Sequence, residues 1–288
     1  VYRDVIELGG LTWRIASFAG SPAVRFLAAA SQSVLGAVGG QGKVYVCGGC
    51  IGQEVLSSLE FLDLRTGRWH VGPAMSRPRQ GAASAYALDR FYVCGGTDGH
   101  CVLNYCECFD PLTAEWLPMP PMSMPRIAAC VCALAGCIYV CGGQYHVALS
   151  SMERYDPHSR IWSQMPRMLQ ERAFAMAAVV GGRMYVLGGA DQGSLDSAEA
   201  FDPAHESWAA LPPMARRRCA AAAAGAREAV YVCGGFDGED RKEAERLEVA
   251  TTSWEAMPPM LRARCNAVAV LARGRRLLVC GGCRPGSV

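Results

Sequence analysis

Residues 91–116 read FYVCGGTDGHCVLNYCECFDPLTAEW. This stretch decides the fold because its landmarks recur along the chain: an apolar segment that ends in Gly-Gly, an acidic stretch with Asp-Pro, and a closing tryptophan. The doublets are Gly48-Gly49, Gly95-Gly96, Gly142-Gly143, Gly188-Gly189, Gly234-Gly235 and Gly281-Gly282, each 46 or 47 residues after the last. A repeat of this period predicts a propeller or a solenoid rather than one mixed domain.

The other landmarks keep the same period. A tryptophan follows the first glycine of a doublet by 20 or 21 residues at Trp69, Trp116, Trp162, Trp208 and Trp254. An acidic residue stands nine positions and another six positions before each of these tryptophans. Trp13 obeys the same rule with Asp4 and Glu7, so residues 1–13 are interpreted as the second half of a repeat that begins at the C-terminal end.

Each repeat carries the signals of four short strands. Apolar runs such as 85–88 and 91–94 are joined by tight polar turns, a third run such as 152–155 ends at Asp-Pro, and the tryptophan lies in a fourth. Four strands in about 46 residues match one blade of a β-propeller and exclude a helical array.

These residues resemble the kelch-repeat family, through the Gly-Gly after a Tyr-Val-Cys strand, the Glu-x-Tyr/Phe-Asp-Pro stretch and the trailing tryptophan. We expect an all-β fold, a six-bladed kelch β-propeller with four antiparallel strands per blade. Residues 1–288 then form a single propeller domain, in which residues 1–13 complete the blade begun by the C-terminal strands. The first residue is valine rather than methionine, so we expect a fragment of a longer protein.

Structural roles are predicted for the repeated residues. The doublet glycines allow positive φ and close backbone approach, and the tryptophans pack between adjacent blades. Cysteine precedes the doublet in five of the six repeats, at Cys47, Cys94, Cys141, Cys233 and Cys280, and Leu187 takes its place before the fourth doublet. A leucine at that place indicates a buried apolar position. A four-cysteine zinc site formed by the CxxC pairs 47–50 and 280–283 is the alternative for four of the cysteines.

Composition narrows the class of function. A net charge of +2 argues against a nucleic-acid partner, and no run reaches the roughly 18 apolar residues of a membrane span, so no membrane association is expected. Fifteen cysteines favour a reducing compartment, hence a cytoplasmic location. The five histidines show no metal-ligand spacing and no catalytic motif is present, so we predict no enzyme activity, no catalytic residue, no bound metal and no cofactor.

The main functional signal is an arginine ten residues after five of the six tryptophans, whereas Ala23 stands at that distance from Trp13. The positions are Arg79, Arg126, Arg172, Arg218 and Arg264. Equivalent positions lie on a circle in a propeller, so the arginines are predicted to line one mouth of the channel and to bind carboxylates. The alternative is that each arginine pairs internally with an acidic residue of a neighbouring blade.

The resemblance implies a partner class. In kelch propellers that serve as substrate receptors for cullin ubiquitin ligases, arginines at this place and residues just after the doublet read short acidic peptides. The corresponding residues after the doublet are Thr97, Gln144, Tyr145 and Phe236, whereas Cys50, Ala190 and Cys283 are not polar readers.

We therefore predict a domain that binds an acidic segment of another protein, as the substrate receptor of an adaptor whose BTB-type region lies upstream. Cullin binding and homodimerisation are expected only through that missing region. The alternatives are a cytoskeletal or scaffold module and a metal-dependent oxidoreductase.

Overall fold

The computed structural model describes residues 5–8, 11–14, 35–39, 43–63, 65–226, 228–272 and 276–283. Over these residues the chain forms strands, turns and irregular segments. No helix long and apolar enough to span a membrane is found in the described part of the chain.

Most of the strands build five four-stranded antiparallel sheets, which are the blades. The first two strands, β1 (Val5–Leu8) and β2 (Leu11–Arg14), precede blade 1. Blade 1 consists of β3 (Leu35–Gly39), β4 (Lys43–Cys47), β7 (Leu59–Asp63) and β8 (Arg68–Gly72), and its loop contains the hairpin of β5 (Cys50–Ile51) and β6 (Glu54–Val55). Blade 2 consists of β9 (Ala83–Ala87), β10 (Arg90–Cys94), β11 (Cys106–Asp110) and β12 (Glu115–Met119). Blade 3 and its loop hairpin contain β13 (Cys130–Leu134), β14 (Cys137–Cys141), β15 (Gln144–Tyr145), β16 (Val147–Ala148), β17 (Met152–Asp156) and β18 (Ile161–Met165). Blades 4 and 5 consist of β19 (Met176–Val180), β20 (Arg183–Leu187), β21 (Ala198–Asp202), β22 (Ser207–Leu211), β23 (Ala222–Ala226), β24 (Ala229–Cys233), β25 (Ala244–Glu248) and β26 (Ser253–Met257).

The terminal strands differ from the prediction. The last two strands are β27 (Cys265–Ala272) and β28 (Arg276–Cys283), and they form a sheet with β1 and β2 in the order β1-β2-β28-β27. In this sheet β2 lies beside β28 and runs parallel to it, whereas the predicted blade has four antiparallel strands. The expectation of antiparallel blades is therefore confirmed for five blades and is wrong for this terminal sheet.

The tryptophans join neighbouring blades, as predicted. The Trp116 ring lies against Phe109 of its own blade at 5.3 Å between centroids, and its Nε1 donates to the Pro73 carbonyl at the end of blade 1, at 2.9 Å. Trp162, Trp208 and Trp254 donate in the same way to Pro120, Pro166 and Pro212. Each ring therefore packs in one blade and bonds to the one before it.

The doublet glycines occupy places that no side chain could fill. Gly95 and Gly96 have φ of +67° and +91°. A Cβ at Gly95 would lie 2.4 Å from the Arg126 carbonyl oxygen, and a Cβ at Gly96 would lie 2.7 Å from the Gln80 carbonyl oxygen. Both the positive φ and the close backbone approach confirm the predicted role.

The cysteines before the doublets are core residues. Cys47, Cys94, Cys141 and Cys233 are at most 2% exposed, and Leu187 is fully buried at the same place. Burial raises the pKa of Cys47 and of Cys233 to about 12, so these thiols stay protonated at neutral pH. Cys50 is buried as well, and the side chains of Cys280 and Cys283 lie outside the described residues. No cluster of three or more metal-ligating side chains occurs in the part of the chain that the structure describes.

The antiparallel order gives the propeller two faces. The doublet face carries the glycine doublets, the loops that follow them and the linkers between blades, such as residues 73–82 and 120–129. The turn face carries the tight turns at the opposite strand ends, such as residues 88–89 and 111–114. All predicted binding residues belong to the doublet face.

Candidate functional site

The repeated arginines are buried rather than displayed. Arg79, Arg126, Arg172 and Arg218 are each 1% exposed. The guanidinium group of Arg126 donates to the Gly142 carbonyl at 2.9 Å, to the Ser151 carbonyl at 3.1 Å and to Glu153 Oε1 at 2.7 Å. Its hydrogen-bonding groups therefore face blade 3 and not the channel.

Each of these arginines forms an ion pair with the glutamate nine residues before a tryptophan. The pairs are Arg79–Glu107, Arg126–Glu153, Arg172–Glu199 and Arg218–Glu245. The second carboxylate oxygen accepts a backbone N–H from the linker, which comes from Ser76, Ser123, Leu169 and Ala215 respectively. Both oxygens of the carboxylate are thus engaged, as a buried charge requires.

The arginine backbones complete a link between blades. The Arg126 carbonyl accepts the Gly96 N–H of blade 2 at 2.9 Å, while its side chain bonds to blade 3. The same pattern holds for Gly49 with Arg79, Gly143 with Arg172, Gly189 with Arg218 and Gly235 with Arg264. One linker residue therefore holds two blades together.

The prediction that these arginines bind a partner is therefore contradicted for Arg79, Arg126, Arg172 and Arg218. Their guanidinium groups are covered by the blades and neutralised by glutamates, so the internal pairing is the reading that the structure supports. Arg264 is only half-buried, and its carbonyl shares the link to blade 5.

The channel mouth is lined instead by the residues two positions after the arginines. These are Gly81, Ala128, Phe174, Ala220 and Asn266, and all five have φ between 50° and 62°. Their backbones form a chain of hydrogen bonds around the channel, which we call the mouth collar: Ala128 N–H to Gly81, Phe174 to Ala128, Ala220 to Phe174 and Asn266 to Ala220, at 2.7 to 2.9 Å. The collar stabilises a backbone conformation that is unfavourable for residues other than glycine.

Of the residues after the doublets, Phe236 lines the cavities of this face, whereas Thr97, Gln144 and Tyr145 are not among the lining residues. Thr97, Gln144, Ala190 and Phe236 each form a β-bridge with the residue that follows an arginine. The Thr97 hydroxyl already uses its donor within its own loop, since it donates to the Cys101 carbonyl at 2.8 Å. Tyr145 lies in the β15–β16 hairpin, 37% exposed, and its ring lies 4.3 Å from the His146 ring.

Two adjoining cavities occupy this face. The mouth pocket has a volume of about 230 Å³, and its lining includes Gln80, Ile127, Phe174, Ala220, Phe236 and Asn266. The outer groove, of about 690 Å³, lies over blades 4 and 5 and is lined by residues that include Ser194, Asp196, Arg216, Arg217, Phe236 and Asp237. Phe236 borders both cavities, so the groove and the pocket adjoin at this side chain.

The outer groove holds two exposed arginines, beside Asp196 and Asp237. Arg216 is exposed and forms no ion pair or hydrogen bond with the residues that the structure describes. The Arg217 side chain is 70% exposed, and its Nε lies 3.6 Å from Asp196 Oδ2. Arginine occupies positions 216–218, and only the structure separates the buried third member from the exposed first two.

Comparison with known families agrees with the repeat. The model of the KLHDC2/KLHL20/DRC7 Kelch-repeats domain matches residues 5–171 and 119–282. The chain belongs to the kelch-repeat family. A kelch propeller of this kind is consistent with a protein-interaction module.

The comparison with solved structures concerns the fold alone. The "Structure of YjhT" is similar to the chain with a TM-score of 0.79, at 18% identity over 89% of this chain and 92% of that one. Because 665 chains of solved structures match the chain significantly, the propeller fold does not itself identify a function. No curated protein matches the chain significantly.

Proposed function

We propose that this kelch domain binds an acidic segment of another protein on its doublet face, in the outer groove and the mouth pocket. The observation that supports this proposal is the position of Arg216 and Arg217. They are exposed cations in a groove that adjoins an uncharged pocket at the channel mouth.

The groove arginines can bind a carboxylate of a partner at little cost in free energy. An exposed ion pair such as Arg217–Asp196 contributes only about 0–1 kcal/mol, because water solvates both groups when they separate. A carboxylate of a partner can therefore replace Asp196 or bind Arg216 directly. Guanidinium groups bind carboxylates with two parallel hydrogen bonds, which gives orientation as well as attraction.

We further infer that the domain acts without chemistry of its own or a cofactor, as the substrate receptor of a cullin ubiquitin-ligase adaptor in the cytoplasm. The family membership supports this role, and the contacts with cullin belong to regions upstream. We also propose that the propeller has six blades, with the terminal sheet as the sixth. In support of it, β27 contacts both β23 of blade 5 and β3 of blade 1. No feature of the described site favours a cytoskeletal module or an oxidoreductase.

The test is quantitative affinity capture from cells with the full-length protein. The Arg216→Glu/Arg217→Glu variant reverses the groove charge, and Arg65→Glu/Arg68→Glu makes the same change in charge on the turn face. We expect the groove variant to lose a defined set of proteins, enriched in acidic surface segments, that the control variant retains. Equal partner sets for both variants and the native protein, with unchanged melting temperatures, would place binding elsewhere.

A further inference from the structure

The mouth pocket is an uncharged cavity beside a charged groove. Its described lining contains no ionisable acid or base except the Cys219 and Cys265 thiols, and burial raises the pKa of Cys219. We infer that this pocket is an anchor site for one bulky apolar side chain, such as leucine, phenylalanine or tryptophan, adjacent to the acidic residues of the partner segment. The inference rests on the proposed function and assigns a second specificity element to the same site.

The size of the pocket favours a single side chain. At about 230 Å³ it is smaller than the roughly 300–1,000 Å³ typical of sites for small organic ligands. The groove alone, at about 690 Å³, has the volume for several residues of a peptide. A peptide that lies in the groove and inserts one side chain into the pocket uses both volumes.

The walls of the pocket suit an apolar residue on a peptide backbone. Phe174 and Phe236 are both 40% exposed and line the same cavity, so they form a contiguous exposed apolar patch, which is typical of binding sites. Gln80 and Asn266 contribute amide groups from other blades. Such amides can bond to the main chain of a bound segment while the rings enclose its side chain.

The pocket is also held in shape before any partner arrives. The mouth collar hydrogen-bonds the backbones of Ala128, Phe174, Ala220 and Asn266 in sequence at 2.7 to 2.9 Å. Because the pocket walls lose little conformational entropy on binding, most of the free energy gained from apolar burial contributes to affinity. Phe174, with a φ of 52°, is the one aromatic residue of the described collar. The equivalent described residues are glycine, alanine and asparagine.

The occupant is identified by charge and continuity. Phe236 lines both cavities, so an apolar residue in the pocket and an acidic residue near Arg216 or Arg217 can belong to one short segment. A purely acidic peptide would leave the two phenylalanines exposed, and a purely apolar one would make no charged contact with the two exposed arginines.

The test selects a phage-displayed library of random twelve-residue peptides on the full chain and measures the enriched peptides by fluorescence polarisation. We expect one dominant leucine or aromatic position next to acidic positions, and a loss of about tenfold or more in affinity when that residue is changed to alanine. Phe174→Ala and Phe236→Ala should weaken binding to a similar extent. Phe174→Ala is expected to fold, because Ala128 and Ala220 already adopt the same φ.

Leu112→Ala is the control, since Leu112 is 79% exposed on the turn face and should not affect binding. Peptides enriched for acidic residues alone, which depend on Arg216 and Arg217 but not on Phe174 and Phe236, would overturn the anchor site and leave the proposed function standing. Peptides that depend on neither set, or a failure to enrich any peptide, would overturn both.

Discussion

Arg126→Met should destabilise the domain strongly, because it removes the centre of a buried network. The native guanidinium group donates to two carbonyls, to the Ser151 hydroxyl at 3.2 Å and to Glu153 at 2.7 Å, and both members of the ion pair are 1% exposed. Methionine leaves the Glu153 carboxylate buried without its counter-charge.

The expected loss follows from these contacts. Breaking a buried ion pair by removing one partner costs about 3–5 kcal/mol, because the remaining charge is not resolvated. For a chain of this size that loss lowers the melting temperature by roughly 5–8 °C. The second change, in Arg126→Met/Glu153→Met, removes the isolated charge. The double variant should therefore be less destabilised than the sum of the single variants by about 1–3 kcal/mol.

The assay is urea unfolding followed by tryptophan fluorescence, with Arg167→Met as the matched control. Arg167 is an exposed linker arginine, and its replacement should change the free energy of unfolding by less than about 0.5 kcal/mol. An Arg126→Met variant as stable as this control would refute the structural role of the repeated arginines.

Three further outcomes follow from the same structure. An iodoacetamide pulse on the native protein should alkylate exposed Cys101 and spare Cys47, whose pKa burial raises to about 12; peptide mapping that finds the two equally modified would contradict the buried core. Backbone N–H groups of its turn lower the pKa of Asp156, so its ionised form stabilises the fold above the ordinary aspartate pKa of about 4, and that contribution is lost as the pH falls. Asp156→Asn should therefore flatten the decline of the melting temperature below pH 4, and an unchanged slope would argue against this turn. Gly143→Ala places a Cβ 2.8 Å from a linker carbonyl oxygen at a φ of +89° and should cost more than about 1 kcal/mol in urea unfolding, whereas Gly193→Ala, with nothing within 4 Å, should be nearly neutral.

The repeat makes much of the propeller predictable from sequence. Glycine at Gly96 and tryptophan at Trp116 recur because each blade needs a close backbone approach at one place and a large ring at another, and both needs are local to one repeat. The terminal sheet was predicted less well, since the pairing of β2 with β28 depends on contacts between distant ends of the chain and not on the period.

The site was harder to predict because the same repeat conceals it. A residue that recurs in every blade, such as Arg126, is more readily explained by what all blades share, which is their architecture. The proposed binding residues are those in which the blades differ, and Phe174 stands at a position held by glycine, alanine or asparagine in the other described repeats. Its type alone indicates nothing, because the orientation towards the channel follows from the positive φ of the collar.

The most direct test of the account is site-specific photo-cross-linking in cells, with Phe174 replaced by p-benzoylphenylalanine in the full-length protein and Leu112 replaced in a matched control. We predict cross-links from position 174 to a small set of partners, lost when Arg216→Glu and Arg217→Glu are added, and few from position 112. Cross-links that arise equally from both positions, or that persist after the charge reversal, would contradict a binding site on the doublet face.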